Sequence, residues 1–254
     1  MQLNYKESGQ GQAFIILHGL LGSLDNWATL GKKFAENYRV FLLDQRNHGK
    51  SPWSDTWSYE AMAEDLHEFI QEHSLDQIIL LGHSMGGKTA MFFATQFPDI
   101  VDRLLVADIA PKAYPVHHDQ ILHAMDVIGI ANLSARQEVD QALAQYIPDF
   151  GTRQFILKNL QRDDNGAFSW KVNLEVIKAQ IESVGEALPE NAFFEGDTLF
   201  LKGDKSNYIL DQDLPLIQKH FPHSNLVSIH NAGHWLHAEQ PEAFYTAVQA
   251  FLSK

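Results

Sequence analysis

The sequence predicts an α/β fold built on a mostly parallel sheet with helices on both faces. Three observations carry this: short apolar runs recur along the chain, amphipathic segments lie between them, and one long stretch interrupts the alternation. The candidate strands are Phe14–Leu17, Val40–Leu43, Ile78–Leu81, Leu104–Ala107, Thr198–Leu201 and Leu226–Ile229. They are apolar on both faces, as parallel strands covered on each side must be. Between them, Tyr59–His73 places Met62, Leu66, Phe69 and Ile70 on one helical face. Near the end, Phe244, Val248, Phe251 and Leu252 do the same, and Pro241 stands where a helix starts. Strands alternating with helices imply right-handed crossovers into a parallel sheet.

The alternation stops between residues 111 and 190. That stretch carries helical patterns at Gln120–Ile128, Gln137–Tyr146 and Arg153–Leu160 and few strand-like runs. It is too long for an ordinary loop. It leaves the sheet at the carboxyl end of a strand, where ligands bind in open α/β sheets. We therefore expect residues 1–110 and 191–254 to form the core and residues 111–190 a helical lid, rather than a separate helical domain.

Composition narrows the function. The chain has 254 residues, 45% of them apolar, enough for one large core with an insertion. A formal charge of −13 argues against nucleic acid or an anionic membrane as partner. The first residues, Met1-Gln2-Leu3-Asn4-Tyr5-Lys6-Glu7, lack the basic and apolar regions of a signal peptide, and no run is long enough to span a bilayer. Without cysteine, thiol chemistry is excluded. The expectation is a cytoplasmic monomer or homodimer acting on a small molecule.

The chemistry is spelled most clearly at Gly82-His83-Ser84-Met85-Gly86-Gly87, directly after the apolar run Ile78–Leu81. A strand, G-x-S-x-G and a helix in that order form a turn sharp enough to hold its central residue at positive φ. Side chains at positions 82 and 86 would collide across such a turn, so both are Gly. Ser84 is the candidate nucleophile.

A Ser hydroxyl needs a base, and the base needs a third group to fix its tautomer. His234, in Asn231-Ala232-Gly233-His234-Trp235, follows the last strand and is the best base. Asp108 or Asp204, each at a strand end, supplies the acid in the order Ser, acid, His. The Met85 amide and one from His18-Gly19-Leu20-Leu21-Gly22, with Leu20 the best donor, should form an oxyanion hole.

Other residues have more than one reading. Arg46, in Asp44-Gln45-Arg46-Asn47-His48-Gly49, is a candidate for holding a substrate carboxylate or phosphate, although bracing between loops is the favoured role. Lys88, in the first turn after the elbow, is expected to face solvent or a nearby carboxylate. Trp27, Trp53 and Trp235 are pocket candidates. His117, His118 and His123 lack an acid cluster with ligand spacing, so they read as solvated lid residues rather than metal ligands.

Taken together, HGLLGS, DQRNHGKS, GHSMGGKTAM, ADIAP and NAGHWLHAE, in that order, resemble the α/β-hydrolase superfamily and, within it, the YbfF-type esterases. The resemblance covers nearly all of the chain outside the lid. It implies the α/β-hydrolase fold and a capped, cofactor-free, metal-free hydrolase of carboxylic esters or thioesters, with Ser84 as nucleophile and His234 as base. Relatives commonly place the acid at the position that is Ser206 here, which favours Asp108 over Asp204. C–C bond hydrolysis, a lyase step or acyl transfer on the same scaffold are the alternatives, with a non-catalytic binding protein a further one.

Overall fold

The computed structural model describes residues 1–163 and 165–253. The chain opens on β1 (Tyr5–Ser8) and β2 (Ala13–Leu17). It continues through α1 (Ala28–Phe34), β3 (Arg39–Leu43), α2 (Tyr59–Glu72), β4 (Ile78–His83), α3 (Met85–Gln96) and β5 (Val101–Ala107). After β5 come α4 (Asp119–Val127), α5 (Arg136–Ala144) and α6 (Phe150–Ile156). A hairpin of β6 (Leu160–Arg162) and β7 (Phe168–Trp170) follows, then α7 (Leu174–Ala179). The sheet resumes with β8 (Asp197–Gly203), α8 (Leu214–His220), β9 (Ser224–Ile229), α9 (Leu236–Glu239) and α10 (Pro241–Leu252).

Seven strands form one sheet in the order β1-β3-β2-β4-β5-β8-β9. Within this sheet only β1 runs antiparallel, paired with β3; β2, β3, β4, β5, β8 and β9 pair in parallel. All six predicted strands are present. β1 escaped the pattern because Tyr5-Lys6-Glu7-Ser8 is largely exposed at the sheet edge and has no apolar face to read. The three-residue strands β6 and β7 are too short to announce themselves by periodicity.

Side chains alternate across the sheet. Ile15, Leu17, Phe41, Leu43 and Leu80 pack on one face with α2 and α3. Phe14, Ile16, Leu42, Ile79 and Leu81 pack on the other with residues of α1 and α10. The segment between β5 and β8 joins the first of these cores: Leu122, Met125, Val139, Leu143, Ile156 and Ile177 lie in the same buried cluster as Met85 and Ile109. Burial at about 25 cal/mol per Å² of apolar surface holds it against the sheet. Among the described residues no helix is long and apolar enough to cross a membrane.

Candidate active site

β4 lies at the centre of the sheet, and its carboxyl end delivers Ser84. The residue has φ 53° and ψ −118°, outside the ordinary L-residue regions. Sterics account for the flanking glycines. A Cβ on Gly82 would lie 2.0 Å from Gly86 O, and one on Gly86 would lie 2.5 Å from His18 O. Ser84 N donates to Ala107 O at 3.0 Å, which ties the turn to β5.

Asp108 follows β5 directly and is also held at positive φ, 52°. Its amide donates to Leu201 O at 2.8 Å, anchoring it to β8. The side chain is fully buried. Its Oδ1 accepts from Gly203 N at 3.1 Å, and Oδ2 accepts from the Ser206 hydroxyl. The third partner is His234, whose Nδ1 lies 2.8 Å from Asp108 Oδ2 while its Nε2 lies 3.0 Å from Ser84 Oγ. The imidazole is stacked on Tyr208, with ring centroids 3.9 Å apart and planes at 16°. With Nδ1–H donating to the carboxylate, Nε2 keeps a lone pair aimed at the hydroxyl. That tautomer can take the Ser84 proton.

Asp204 does not compete. It is exposed and accepts from His230 Nδ1 at 2.7 Å. Backbone hydrogen bonding from Asn231, more than the His230 contact, holds its carboxyl below the usual range. The alternative acid is thereby corrected: β8 ends by turning Asp204 outward and Ser206 inward, and the Ser206 hydroxyl supports Asp108.

The loop after β2 is held by the loop after β3. His18 Nε2 accepts from Gln45 N at 3.0 Å, and Gln45 Nε2 donates to His18 O at 2.7 Å. His48 Nε2 accepts from Leu21 N at 3.2 Å. Each ring must then carry its proton on Nδ1, which meets Gly19 O and Arg46 O at 2.8 and 2.9 Å. Both imidazoles are therefore built to be neutral. Burial lowers the His18 pKa and takes that of His48 down to about 3. His83 is held low mainly by burial and donates from Nε2 to His234 O at 2.8 Å, orienting the loop that carries the base candidate. Among the described residues the amides of Leu20 and Met85 meet no protein acceptor, and both residues line the cleft floor beside Ser84.

Two hollows meet at Ser84. One, about 410 Å³, is walled by Tyr59, Met85, Ile109, Tyr114, Val116 and Val184. The other, about 310 Å³, is bordered by Asn26, Trp27, Phe155, Trp235 and His237. Leu20, His117, His118 and Tyr208 border both. Trp27 and Trp235 both border the second hollow and neither borders the first, and Trp27 is stacked on His237 with ring centroids 4.2 Å apart. Trp27 Nε1, His118 Nδ1 and His237 Nδ1 are buried beside the second hollow and have no hydrogen-bond partner among the described residues.

Other expectations need correction. Arg46 does not face the cleft: its guanidinium forks onto buried Asp65 at 2.6 and 2.8 Å and donates to Thr56 O at 2.8 Å. It is a brace, and its candidacy as a substrate ligand falls. Trp53 is 57% exposed and borders a separate surface hollow. Lys88 is fully buried instead of facing solvent or a carboxylate, because its Nζ donates to two backbone carbonyls, Lys112 O at 2.6 Å and Glu186 O. Burial takes its pKa down to about 7. His117 and His123 are exposed as expected, but His118 is half-buried over the cleft. Tyr208 carried no sequence signal and His118 read only as a solvated lid residue, since both come from loops that only folding brings to Ser84. Among the described residues no group of His, Asp or Glu has the spacing to hold a metal ion.

Comparison with known proteins places these features in a lineage. Residues 12–125 match the α/β hydrolase fold family. The chain is 38% identical over 249 residues to the sn-1-specific diacylglycerol lipase ABHD11 of Mus musculus, covering 95% of this chain and 81% of that one. It is 32% identical to esterase YbfF of Escherichia coli over the full length of both. Among solved structures, a marine microorganism esterase superposes with a TM-score of 0.96 at 43% identity, over 98% of this chain and 99% of the other. Agreement over nearly the whole length, and not the elbow alone, makes the conclusion plain: the chain belongs to the α/β-hydrolase family.

Proposed function

We propose that this protein hydrolyses carboxylic esters or thioesters of small molecules through an acyl-enzyme on Ser84. His234 Nε2 takes the hydroxyl proton as Ser84 Oγ attacks the carbonyl carbon, and Asp108 holds the imidazolium that forms. The Leu20 and Met85 amides receive the developing oxyanion. The carbonyl re-forms, the bond to the leaving group breaks, and His234 returns the proton to the departing alcohol or thiol. Water, deprotonated by His234, then releases the acid and restores Ser84. The apolar hollow takes the acyl chain and the hollow at Trp27 and Trp235 the leaving group. The segment from residue 111 to 190 serves as the lid over both.

The reading rests on one observation above the others: a hydroxyl 3.0 Å from an imidazole that is itself 2.8 Å from a buried carboxylate. The lipase and esterase names of the near full-length relatives support the same class of substrate. In the test, Ser84→Ala should abolish p-nitrophenyl ester turnover while shifting the melting temperature little. Turnover retained within tenfold of the native protein would remove Ser84 from the mechanism.

A further inference from the structure

Lys88 has no part in the acyl-transfer steps, yet it is a fully buried amine one turn after Ser84 on α3. A lysine taken out of water is tolerated only where its donors find partners. Here the partners are the carbonyls of Lys112, where the chain leaves β5 for the insertion, and Glu186, where it returns. The two segments also pair with each other: Tyr114 N donates to Gly185 O at 2.8 Å, and Leu188 N donates to Pro111 O at 2.9 Å. The insertion therefore joins the core through a two-stranded neck, and Lys88 reaches into that neck from the helix carrying the Met85 amide. The approach is close, since a Cβ on Gly185 would lie 2.4 Å from Tyr114 O. Lys112, Ala113, Tyr114, Val184 and Gly185 of the neck also line the larger hollow, opposite Ser84 and Met85.

From this geometry we propose that Lys88 is a positioning residue that latches both ends of the lid to the nucleophile helix and thereby sets the depth of the acyl hollow. The inference rests on the assignment of that hollow to the acyl chain. An amine and an ammonium each have at least two N–H donors, so both protonation states can make the two bonds. A neutral isostere such as methionine makes neither. Freed of its latch, the neck moves relative to Met85, and the fit that discriminates one chain length from another is lost.

The test is the acyl-length profile of kcat/KM for p-nitrophenyl esters from acetate to dodecanoate, in native protein and Lys88→Met. The latch predicts that the ratio between the best and worst chain lengths shrinks by about tenfold, mainly through KM. Because the chain contains no cysteine, Lys88→Cys aminoethylated in the unfolded state and refolded rebuilds a lysine analogue at this position alone, and should restore the native profile. A profile that keeps its shape in Lys88→Met, whatever its height, overturns the proposal. So does failure of the aminoethylated protein to recover discrimination. If Lys88→Met does not fold, Gly185→Ala decides by disturbing the neck from its other strand: a native profile there overturns the latch, and a flattened one supports it. Failure of both variants to fold also overturns it, because the lysine is then core structure. Fluorophosphonate labelling of Ser84 in the same samples reports separately on the hydrolase reading.

Discussion

Acidification should destabilise this protein well before its carboxylates protonate, and the histidines around the oxyanion loop set the size of the effect. His48 is fully buried with Nε2 accepting from Leu21 N, so a second proton would place two donors face to face. His237 is buried between Trp27 and His83, and its Nδ1 has no partner among the described residues. Burial takes both pKa values down to about 3. An unfolded chain binds a proton at each near pH 6.5, whereas the native chain binds neither until about pH 3. Between those values the unfolded state holds more protons, so stability falls as pH falls. Each group loses about 1.4 kcal/mol per pH unit, or about 2 kcal/mol at pH 5 and about 4 kcal/mol for the pair. That is a large share of a typical domain stability of about 5–15 kcal/mol. His18 and His83, also lowered by burial, act in the same direction. Glu186, raised by burial, opposes them as a single group, and Lys88, lowered to about 7, changes charge mainly above this window. Urea unfolding between pH 8 and pH 4.5, compared with His48→Gln, measures the effect. The variant should show a slope of stability against pH shallower by about 1.4 kcal/mol per unit below pH 6.5. Equal slopes, or native stability that stays flat from pH 7 to pH 5, would refute the reasoning.

Three further substitutions separate the roles of these side chains. Asp108→Asn should lower kcat by on the order of 10⁴, because an amide nitrogen facing His234 Nδ1 forces the proton onto Nε2, where Ser84 needs a lone pair. Asp204→Asn should stay within about threefold of native, and steady-state kinetics showing the reverse order would reassign the acid. Arg46→Gln should cost about 3 kcal/mol of stability by removing the guanidinium fork from buried Asp65 and leaving it to the Met1 ammonium 3.4 Å away. Its KM for anionic and neutral esters should change in parallel, and a selective rise for the anionic ester would restore Arg46 as a substrate ligand.

The readable parts of this molecule are those where chemistry demands a particular residue at a particular spacing. Six strands were visible because parallel strands are apolar on both faces, and Ser84 was visible because only Gly fits two positions either side of it. His234 could be chosen from thirteen histidines because it follows the last strand at the sheet's carboxyl edge. What stayed hidden depends on direction. Asp108 and Asp204 both end strands, and only the resemblance, not the residues around either one, favoured Asp108 as the carboxylate that turns inward. Lys88 read as a surface residue because its partners are carbonyls 24 and 98 positions away, and backbone acceptors leave no mark on a sequence. β1 and the β6–β7 hairpin are too polar or too short for periodicity to register.

Catalysis at this site depends most on Ser84 being made reactive by His234. A fluorophosphonate probe, applied to the native protein and to His234→Ala and followed by peptide mapping, tests this directly. The native protein should give a single phosphonylated peptide containing Ser84, with labelling slowed by at least about a hundredfold in the variant. Modification of another residue, or equal labelling rates in the two proteins, would contradict it.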